Sequence, residues 1–232
     1  MKINNYSQLK SDINEGIILP VYKDLNWTSF DVVKKVKRMF KVPKVGHAGT
    51  LDPKATGLLI LATGKKTKEM DYFINLEKEY NGTMCIGAKT DSFDTETEIH
   101  SEKPIDAISK ADIIKTSQKF LGKIEQLPPM HSALKYKGKR LYEFARRGEE
   151  ISREKRQVTI SRFEISNINL PYFDFNIICS KGTYIRSLAA EFGELLGVGA
   201  YLNALTRVRI GNYSIEDSFS MDELRKISYS LE

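Results

Sequence analysis

The sequence predicts a single domain of the α+β class. Strand-like and helix-like segments alternate along the chain, but without the regular strand–helix–strand rhythm of a doubly wound sheet. Neither a GxGxxG motif nor a P-loop is present, so nucleotide-cofactor folds are not supported. The chain has 232 residues, no internal repeat and no linker rich in proline or serine, which favours one sheet-based domain.

Composition excludes several classes of protein. Hydrophobic residues make up 41% of the chain, too many for a disordered protein, and the longest unbroken apolar run, residues 58–62, is too short to span a bilayer. Residues 1–16 are polar and include acids, which argues against a secretory signal. Cys85 and Cys179 both lie in apolar, strand-like segments, so we expect a reducing cytosol rather than a disulfide framework.

Positive charge is concentrated in two segments. The net charge is +6, and residues 34–44 contain six basic residues and no acidic one. Residues 135–147 contain six basic residues and one glutamate. Clustered lysine and arginine favour a polyanionic partner such as nucleic acid, because they release counterions from phosphates. For either segment alone, an ordinary solvated surface is an equally good interpretation.

The first predicted helix begins after Thr28, which suits an N-cap, and continues to Phe40. Its apolar residues form one stripe at helical spacing, and its basic residues project from the opposite side. A helix that is packed on one face and basic on the other strengthens the nucleic-acid interpretation. Next come a predicted loop at residues 42–57, buried strand residues 58–62, a strand at 79–88 and a helix at 107–121.

In the second half of the chain, Pro128 and Pro129 separate these elements from a basic helix near residues 141–147. Residues 158–168 and residues 172–179 each alternate between apolar and polar side chains, which predicts two strands. A turn at residues 180–183 then opens an amphipathic helix that Gly197 is placed to end. In the second strand the side chains predicted to share one face are Phe173, Phe175, Ile177 and Cys179.

The segment richest in candidate chemistry is residues 46–57, GHAGTLDPKATG. Its glycines permit backbone conformations closed to other residues, and Pro53 favours an extended conformation at Asp52. We therefore expect a rigid loop that presents the Asp52 carboxylate, with His47 nearby, before a buried strand. On composition alone, an ordinary Asp-Pro turn is the alternative.

A carboxylate shielded from water needs a partner to stay ionised, and Arg186 is a candidate because its guanidinium never loses its charge. Tyr184 lies two residues earlier, at the start of the same helix. The alternative is a core aromatic residue beside a surface cation, and spacing alone leaves both open. The three histidines are widely separated and there is no Cys-x-x-Cys pair, so a zinc site is not expected.

Taken together, these segments resemble the bacterial tRNA pseudouridine synthase B family, which forms the pseudouridine at T-arm position 55 of tRNA. The matching segments run in the family's order from about Val21 to about Asp217. They read GHAGTLDPKATGLLILATGKKTK, KEYNGTMCIGAKTDSFDTE, PPMHSALKYKGKRLYEFARRGEE, CSKGTYIRSLAAEFG and LNALTRVRIGNYSIED. The resemblance implies a pseudouridine synthase fold, with a central mixed, largely antiparallel sheet, flanking helices and an active-site cleft.

The resemblance also assigns roles. Asp52 matches the catalytic aspartate, and Arg186 the arginine that pairs with it. Tyr80 matches the tyrosine that packs against the target base and is proposed to act in the final proton removal. The remaining matches are substrate-site residues. His47 matches a histidine associated with displacing the T-loop bases, and Lys23 matches a lysine near the substrate channel. Tyr184 and Leu205 match residues that line the pocket.

The implied reaction breaks the N1–C1′ bond of uridine, rotates the base and joins C5 to C1′. It changes no redox state, so no cofactor or metal is expected. The carboxylate must be preorganised, and an aromatic side chain must hold the detached base. Attack of Asp52 on C1′ and removal of the 2′ proton both remain open.

Three departures from the family pattern stand out. The usual Lys-Pro-x-Gly-Trp-Thr-Ser reads KDLNWTS here, so Lys23 is followed by Asp24 instead of proline. Asn26 suits the left-handed conformation of the replaced glycine. The common His-Thr-Gly has alanine at position 48. The chain ends about fifteen residues after Asp217, so we expect no C-terminal PUA domain and a weaker grip on the acceptor side of tRNA.

The sequence thus predicts a cytoplasmic, monomeric tRNA pseudouridine synthase without a cofactor. Two alternatives remain. The first is the same isomerisation on a different structured RNA. The second is a tRNA-binding chaperone with vestigial activity.

Overall fold

The computed structural model describes residues 12–229 except residue 14, so most of the leader that was judged not to be a signal lies outside the described residues. Thirteen strands, six α-helices and two 3₁₀ helices are described in this part of the chain. In chain order they are β1 Ile18–Lys23, α1 Ser29–Met39, β2 Val45–Ala48, β3 Ala55–Thr63, a 3₁₀ helix Gly64–Glu69, α2 Met70–Asn75, β4 Lys78–Ile86, β5 Ala88–Thr90, β6 Ile99–Glu102, α3 Lys110–Gln118, β7 Gly122–Gln126, β8 Lys135–Tyr136, β9 Lys139–Arg140, α4 Leu141–Ala145, β10 Arg156–Asn169, β11 Tyr172–Cys179, α5 Ile185–Leu196, β12 Ala200–Ile210, β13 Tyr213–Ser214, a 3₁₀ helix Ile215–Asp217 and α6 Met221–Tyr229.

The described residues form two compact units. The first contains the residues up to Tyr80 and those from Leu205 onward. In it β3 pairs with β1 and β2 in antiparallel fashion and with β12 in parallel fashion. The apolar face of α1 packs with that of α6 on core residues of β1 and β3. Burial of this shared face stabilises the unit, because apolar area leaves water.

The second unit contains residues 81–204. Residues 200–204 of β12 and 81–86 of β4 belong to it, and its strand order is β12-β4-β11-β10-β7. In this order β10 is antiparallel to both β11 and β7. Aromatic rings fill its core: Phe192 of α5 lies 5.2 Å from Phe173 of β11 and 5.9 Å from Phe120, measured between ring centroids. Each such pair adds about 0.5–1.5 kcal/mol beyond burial of its area.

Most sequence-predicted elements are confirmed. Thr28 caps α1 through a capping box with Asp31. The inward residues of β11 are buried at alternate positions, as the period of a strand requires. Gly197 ends α5 in the left-handed conformation, with φ +79°. Every helix in the described part of the chain is too short or too polar to cross a lipid bilayer.

Three boundaries were wrong. The predicted loop at residues 42–57 contains β2, which pairs with β3 from Val45 opposite Thr63 to Ala48 opposite Ile60. The single strand expected at residues 79–88 is interrupted at Gly87, whose φ of +87° breaks the extended conformation. The predicted helix at residues 107–121 is shorter, because the Ser109 side chain accepts a hydrogen bond from the Asp112 backbone and sets the start of α3.

Candidate active site

Asp52 lies in the loop between β2 and β3, and the backbone on both sides of it is fixed by hydrogen bonds. The hydroxyl of Ser29, in the first turn of α1, accepts from the Leu51 N–H at 2.9 Å and donates to the Leu51 carbonyl at 3.3 Å. The Asp52 carbonyl accepts from the Ala55 N–H at 3.0 Å, which closes a turn over Pro53. The backbone of this loop is therefore held on both sides of Asp52, and presentation of its carboxylate to a substrate stays a prediction.

The turn between β1 and α1 supports the same loop from its other side. The Asn26 N–H donates to the Pro53 carbonyl at 2.8 Å, and the Lys54 ammonium donates to the Asn26 side-chain oxygen at 3.1 Å. Asn26 has φ +64°, so the left-handed conformation expected at this position is confirmed. Its side chain also makes a bond that a glycine could not make.

Lys23 is fully buried at the end of β1 and donates to the carbonyls of Asp24 at 3.0 Å and Trp27 at 2.6 Å. Burial, the largest cause, lowers its pKa from 10.5 to about 8, and the Asp52 carboxylate opposes that shift. Lys23 and Asp52 are therefore close enough to interact electrostatically. The role of Lys23 near the substrate channel stays a prediction.

The other predicted residues of the first unit lie on its strands. His47 is on β2 opposite Leu61 of β3, and it is partly exposed. Leu205 is buried on β12 and lies opposite Ala55 of β3. Ala55 follows Asp52 by three residues in the sequence. Tyr80 is buried on β4. Their contacts with substrate stay a prediction.

Arg207, on β12, is a buried residue next to the Asp52 loop that sequence reasoning missed. Its side chain is 1% exposed, and its guanidinium donates from Nε to the Leu58 carbonyl at 2.8 Å and from Nη2 to the Gly49 carbonyl at 3.0 Å. One available signal was the alternation of β12, which puts residue 207 on the same face as the apolar Leu205. A buried arginine thus adjoins the loop that carries Asp52.

In the second unit, Tyr184 is the N-cap residue of α5, and its backbone is held by the amide of Gln126. The Tyr184 N–H donates to Gln126 Oε1 at 2.7 Å, and Gln126 Nε2 donates to the Tyr184 carbonyl at 3.1 Å. This satisfies both polar groups of the amide and fixes the start of the helix. The Tyr184 side chain stays assigned to the substrate pocket as a prediction.

Arg186 is 3% exposed, so the alternative interpretation as a surface cation was wrong. Its Nη2 donates to the His131 carbonyl at 2.8 Å and its Nη1 to the Ser92 carbonyl at 3.2 Å, while Nε lies 3.6 Å from Asp94 Oδ2. These groups compensate the cost of burying the guanidinium. Pairing with Asp52, which belongs to the other unit, stays a prediction.

Asp94 is the second residue that sequence reasoning missed. It is buried, and its Oδ1 accepts from the Ser92 hydroxyl at 2.6 Å and from the Glu96 N–H at 2.9 Å. The signal was a run of small polar residues around it, TDSFDTE, which is typical of a tightly hydrogen-bonded turn. Among residues 12–229 apart from 14, no group of three or more His, Cys, Asp or Glu side chains could hold a metal ion.

Comparisons with known proteins identify the family of this chain. Residues 37–185 match the model of the TruB family pseudouridylate synthase N-terminal domain. The tRNA pseudouridine synthase B of Chlorobaculum tepidum is 52% identical over 213 residues, covering 90% of this chain and 89% of the relative. The enzyme of the same name from Flavobacterium johnsoniae is 48% identical over 214 residues, covering 89% of this chain and 93% of the relative.

Two solved structures have a similar fold. A Cbf5–Nop10–Gar1 complex matches with a TM-score of 0.72 and 26% identity over 95% of this chain. A structure of an H/ACA RNP bound to a substrate RNA containing 2′-deoxyuridine matches with a TM-score of 0.70 and 25% identity over 94% of this chain. This chain spans 61% and 55% of the matched chains in those structures. The α+β fold and the family resemblance are both confirmed, and the chain belongs to the TruB family of pseudouridylate synthases.

Proposed function

We propose that this pseudouridine synthase isomerises the uridine at T-loop position 55 of tRNA and uses Asp52 as its catalytic carboxylate. The observation that carries the proposal is the anchored loop around Asp52, in a chain whose relatives are named tRNA pseudouridine synthase B. Such anchoring supplies the preorganisation that a reaction without a cofactor requires, because the charged group need not reorganise as bonds break.

The reaction converts uridine to its isomer. The N1–C1′ bond breaks, C5 bonds to C1′, C5 loses its proton and N1 gains one. Asp52 either attacks C1′ or removes the 2′ proton, and in both cases it must reach the ribose in its ionised form. In the proposal Arg186 keeps Asp52 ionised, Tyr80 holds the detached base, and His47, Tyr184, Leu205 and Lys23 contribute to the substrate site.

Phosphate contacts are proposed for both basic segments. Between α1 and α6 lies a groove of about 250 Å³, called here the α1–α6 groove. Three of its lining residues carry positive charge, and the ring of Tyr229 is exposed beside them. Its lining is Lys35, Arg38, Met39, Arg225, Ser228 and Tyr229. Cations beside an exposed aromatic ring are typical of surfaces that bind the RNA backbone and stack bases.

The second basic segment has the same character. Lys135–Tyr136 and Lys139–Arg140 are exposed strands of a short hairpin. After it, the Arg147 guanidinium lies 4.9 Å from the centre of the Phe144 ring and that of Arg146 lies 5.3 Å from the Tyr142 ring. Phosphate contacts on such surfaces offset the roughly few kcal/mol that extrusion of a stacked uridine costs.

The proposal has three further features: the chain is a single catalytic domain, it acts as a monomer, and it works in the cytoplasm. The reduced, buried thiols of Cys85 and Cys179 support a reducing compartment. The alternatives are isomerisation in another structured RNA and a tRNA-binding chaperone with vestigial activity, and the experiment below separates them.

The decisive experiment measures tritium release from a tRNA transcript labelled at uridine C5, together with mapping of the product. Wild type is compared with Asp52→Asn and with Asp71→Asn, which makes the same change on an exposed residue of α2. Release by wild type and Asp71→Asn but not by Asp52→Asn, with pseudouridine in the T-loop, is the expected result. Release at another position would replace the substrate assignment, and no release from folded, tRNA-binding wild type would leave the chaperone.

A further inference from the structure

Arg207 is among the largest fully buried side chains in the described part of the chain. Burying a guanidinium is costly unless its donors find acceptors. Two of its donors bind the backbone carbonyls of Gly49 and Leu58, which lie on either side of the loop that carries Asp52. The cost of burial is therefore offset by bonds to Gly49, the first residue of the loop, and to Leu58, within the strand β3 that follows it.

The backbone of Arg207 holds the same segment. In the parallel ladder between β12 and β3, Arg207 lies opposite Gly57. A Cβ at Gly57 would lie 2.4 Å from the Arg207 carbonyl oxygen, and Gly57 has φ +106°, so only glycine permits this approach. Backbone and side chain of one residue thus contact both ends of residues 49–58.

Charge supports the same picture. The pKa of Lys23 is lowered chiefly by burial, and the charge of Arg207 lowers it further, whereas Asp52 raises it. Arg207 is therefore near enough to influence the electrostatics of the predicted site.

We infer that Arg207 is a positioning residue for the catalytic loop: it clamps Gly49 and Leu58 and so fixes where Asp52 meets the ribose. The inference rests on the proposed function, in which Asp52 is the catalytic carboxylate. Lysine cannot replace Arg207 fully, because an ammonium lacks the planar fork whose separate nitrogens bind the two carbonyls.

The test compares Arg207→Lys with Arg209→Lys. Arg209 lies on the same strand, but it binds Glu79 at 2.8 Å and Glu77 at 3.2 Å. For Arg207→Lys we expect kcat on tRNA to fall by about 10- to 100-fold, with KM within about threefold of wild type, because displacement by about 1 Å costs that much. Hydrogen exchange should become faster in peptides covering residues 49–54. Arg209→Lys should change neither quantity by more than about twofold.

Equal kcat and equal loop exchange in the two folded variants would overturn the inference. A fall in kcat without faster loop exchange would also overturn it, since Arg207 would then act by another route. If wild type forms no pseudouridine, the proposed function fails, and the exchange comparison still decides whether Arg207 holds the loop.

A second variant keeps the test decisive if Arg207→Lys does not fold. Gly49→Ala strains the loop backbone at the residue whose carbonyl Arg207 Nη2 binds, because φ +76° disfavours alanine, while the added Cβ would lie in ordinary contact 3.5 Å from Arg207 Nη1. It should also lower kcat and accelerate loop exchange. Where both single variants fold, the kcat of the double variant should be no more than about threefold below that of the less active single variant, because the two changes disturb one contact. Multiplicative effects would contradict a shared mechanism.

Discussion

Lys23 offers a test of the electrostatics that needs no substrate. Its pKa is about 8 in the folded protein against an ordinary 10.5, chiefly because it is buried. Since one pKa unit corresponds to about 1.4 kcal/mol, protonated Lys23 disfavours the folded state by about 3 kcal/mol. Between pH 8 and 10.5 the unfolded state binds this proton and the folded state does not. The free energy of unfolding should therefore rise through this window by about that amount.

The assay is urea unfolding of wild type, Lys23→Met and Lys68→Met at intervals from pH 7 to 10.5. Lys68 is exposed on the 3₁₀ helix, so its replacement controls for loss of a surface lysine. Loss of the bonds from Lys23 to Asp24 and Trp27 shifts the stability of Lys23→Met by a constant, but it does not change the slope with pH. Above pH 8 the wild-type curve should rise relative to the Lys23→Met curve. Parallel curves would refute the reasoning, because Lys23 would then have an ordinary pKa.

Two further predictions concern RNA binding and the close backbone approach at Gly57. Replacing the basic residues of the α1–α6 groove with glutamine (Lys35, Arg38 and Arg225) should weaken tRNA binding and reduce the slope of log K against log salt by about 2–3, with kcat at saturation unchanged. The control variant replaces the three lysines of the Gly64–Glu69 helix with glutamine. If the groove variant has the same salt slope as this control and as wild type, the groove does not bind the RNA backbone. Gly57→Ala should destabilise the protein by more than the roughly 1–2 kcal/mol that left-handed alanine costs, since its Cβ would lie 2.4 Å from a carbonyl oxygen. Gly182→Ala, with φ +79° and nothing within 4 Å, should show the backbone cost alone in urea unfolding; equal losses would contradict the close approach.

Local patterns were sufficient where the cause of the structure is local. The stripe of α1, the alternation of β11 and the left-handed end of α5 at Gly197 all follow from neighbouring residues. The position of Asp52 in a constrained loop also followed from the proline and glycines beside it. These features depend on backbone geometry and on the period of each element, which the sequence shows directly.

The missed features depend on partners far along the chain. Arg207 binds the carbonyl of Leu58, which is 149 positions away, and a carbonyl has no side-chain signature. Asp94 lies 92 positions from Arg186, beside which it is buried, and alone it resembles an ordinary surface charge. The strand β2 was interpreted as a loop because it is only four residues long and its pairing with β3 is not visible in its composition. Contacts between residues distant in sequence therefore determine these features, and local sequence patterns do not show them.

The anchors of the Asp52 loop explain why its position should be sensitive to distant substitutions. Ser29 holds it from α1, Asn26 from the turn before α1, and Arg207 from β12. A single neutral hydrogen bond contributes about 1 kcal/mol, whereas a misplacement that slows a reaction 100-fold costs about 2.7 kcal/mol. Loss of one anchor can thus cost catalysis more than it costs stability, because the fold tolerates a loop displacement that the reaction does not. This asymmetry separates Ser29, whose anchoring bonds are neutral, from ordinary core residues: Ser29→Ala should melt close to wild type while turning over far more slowly.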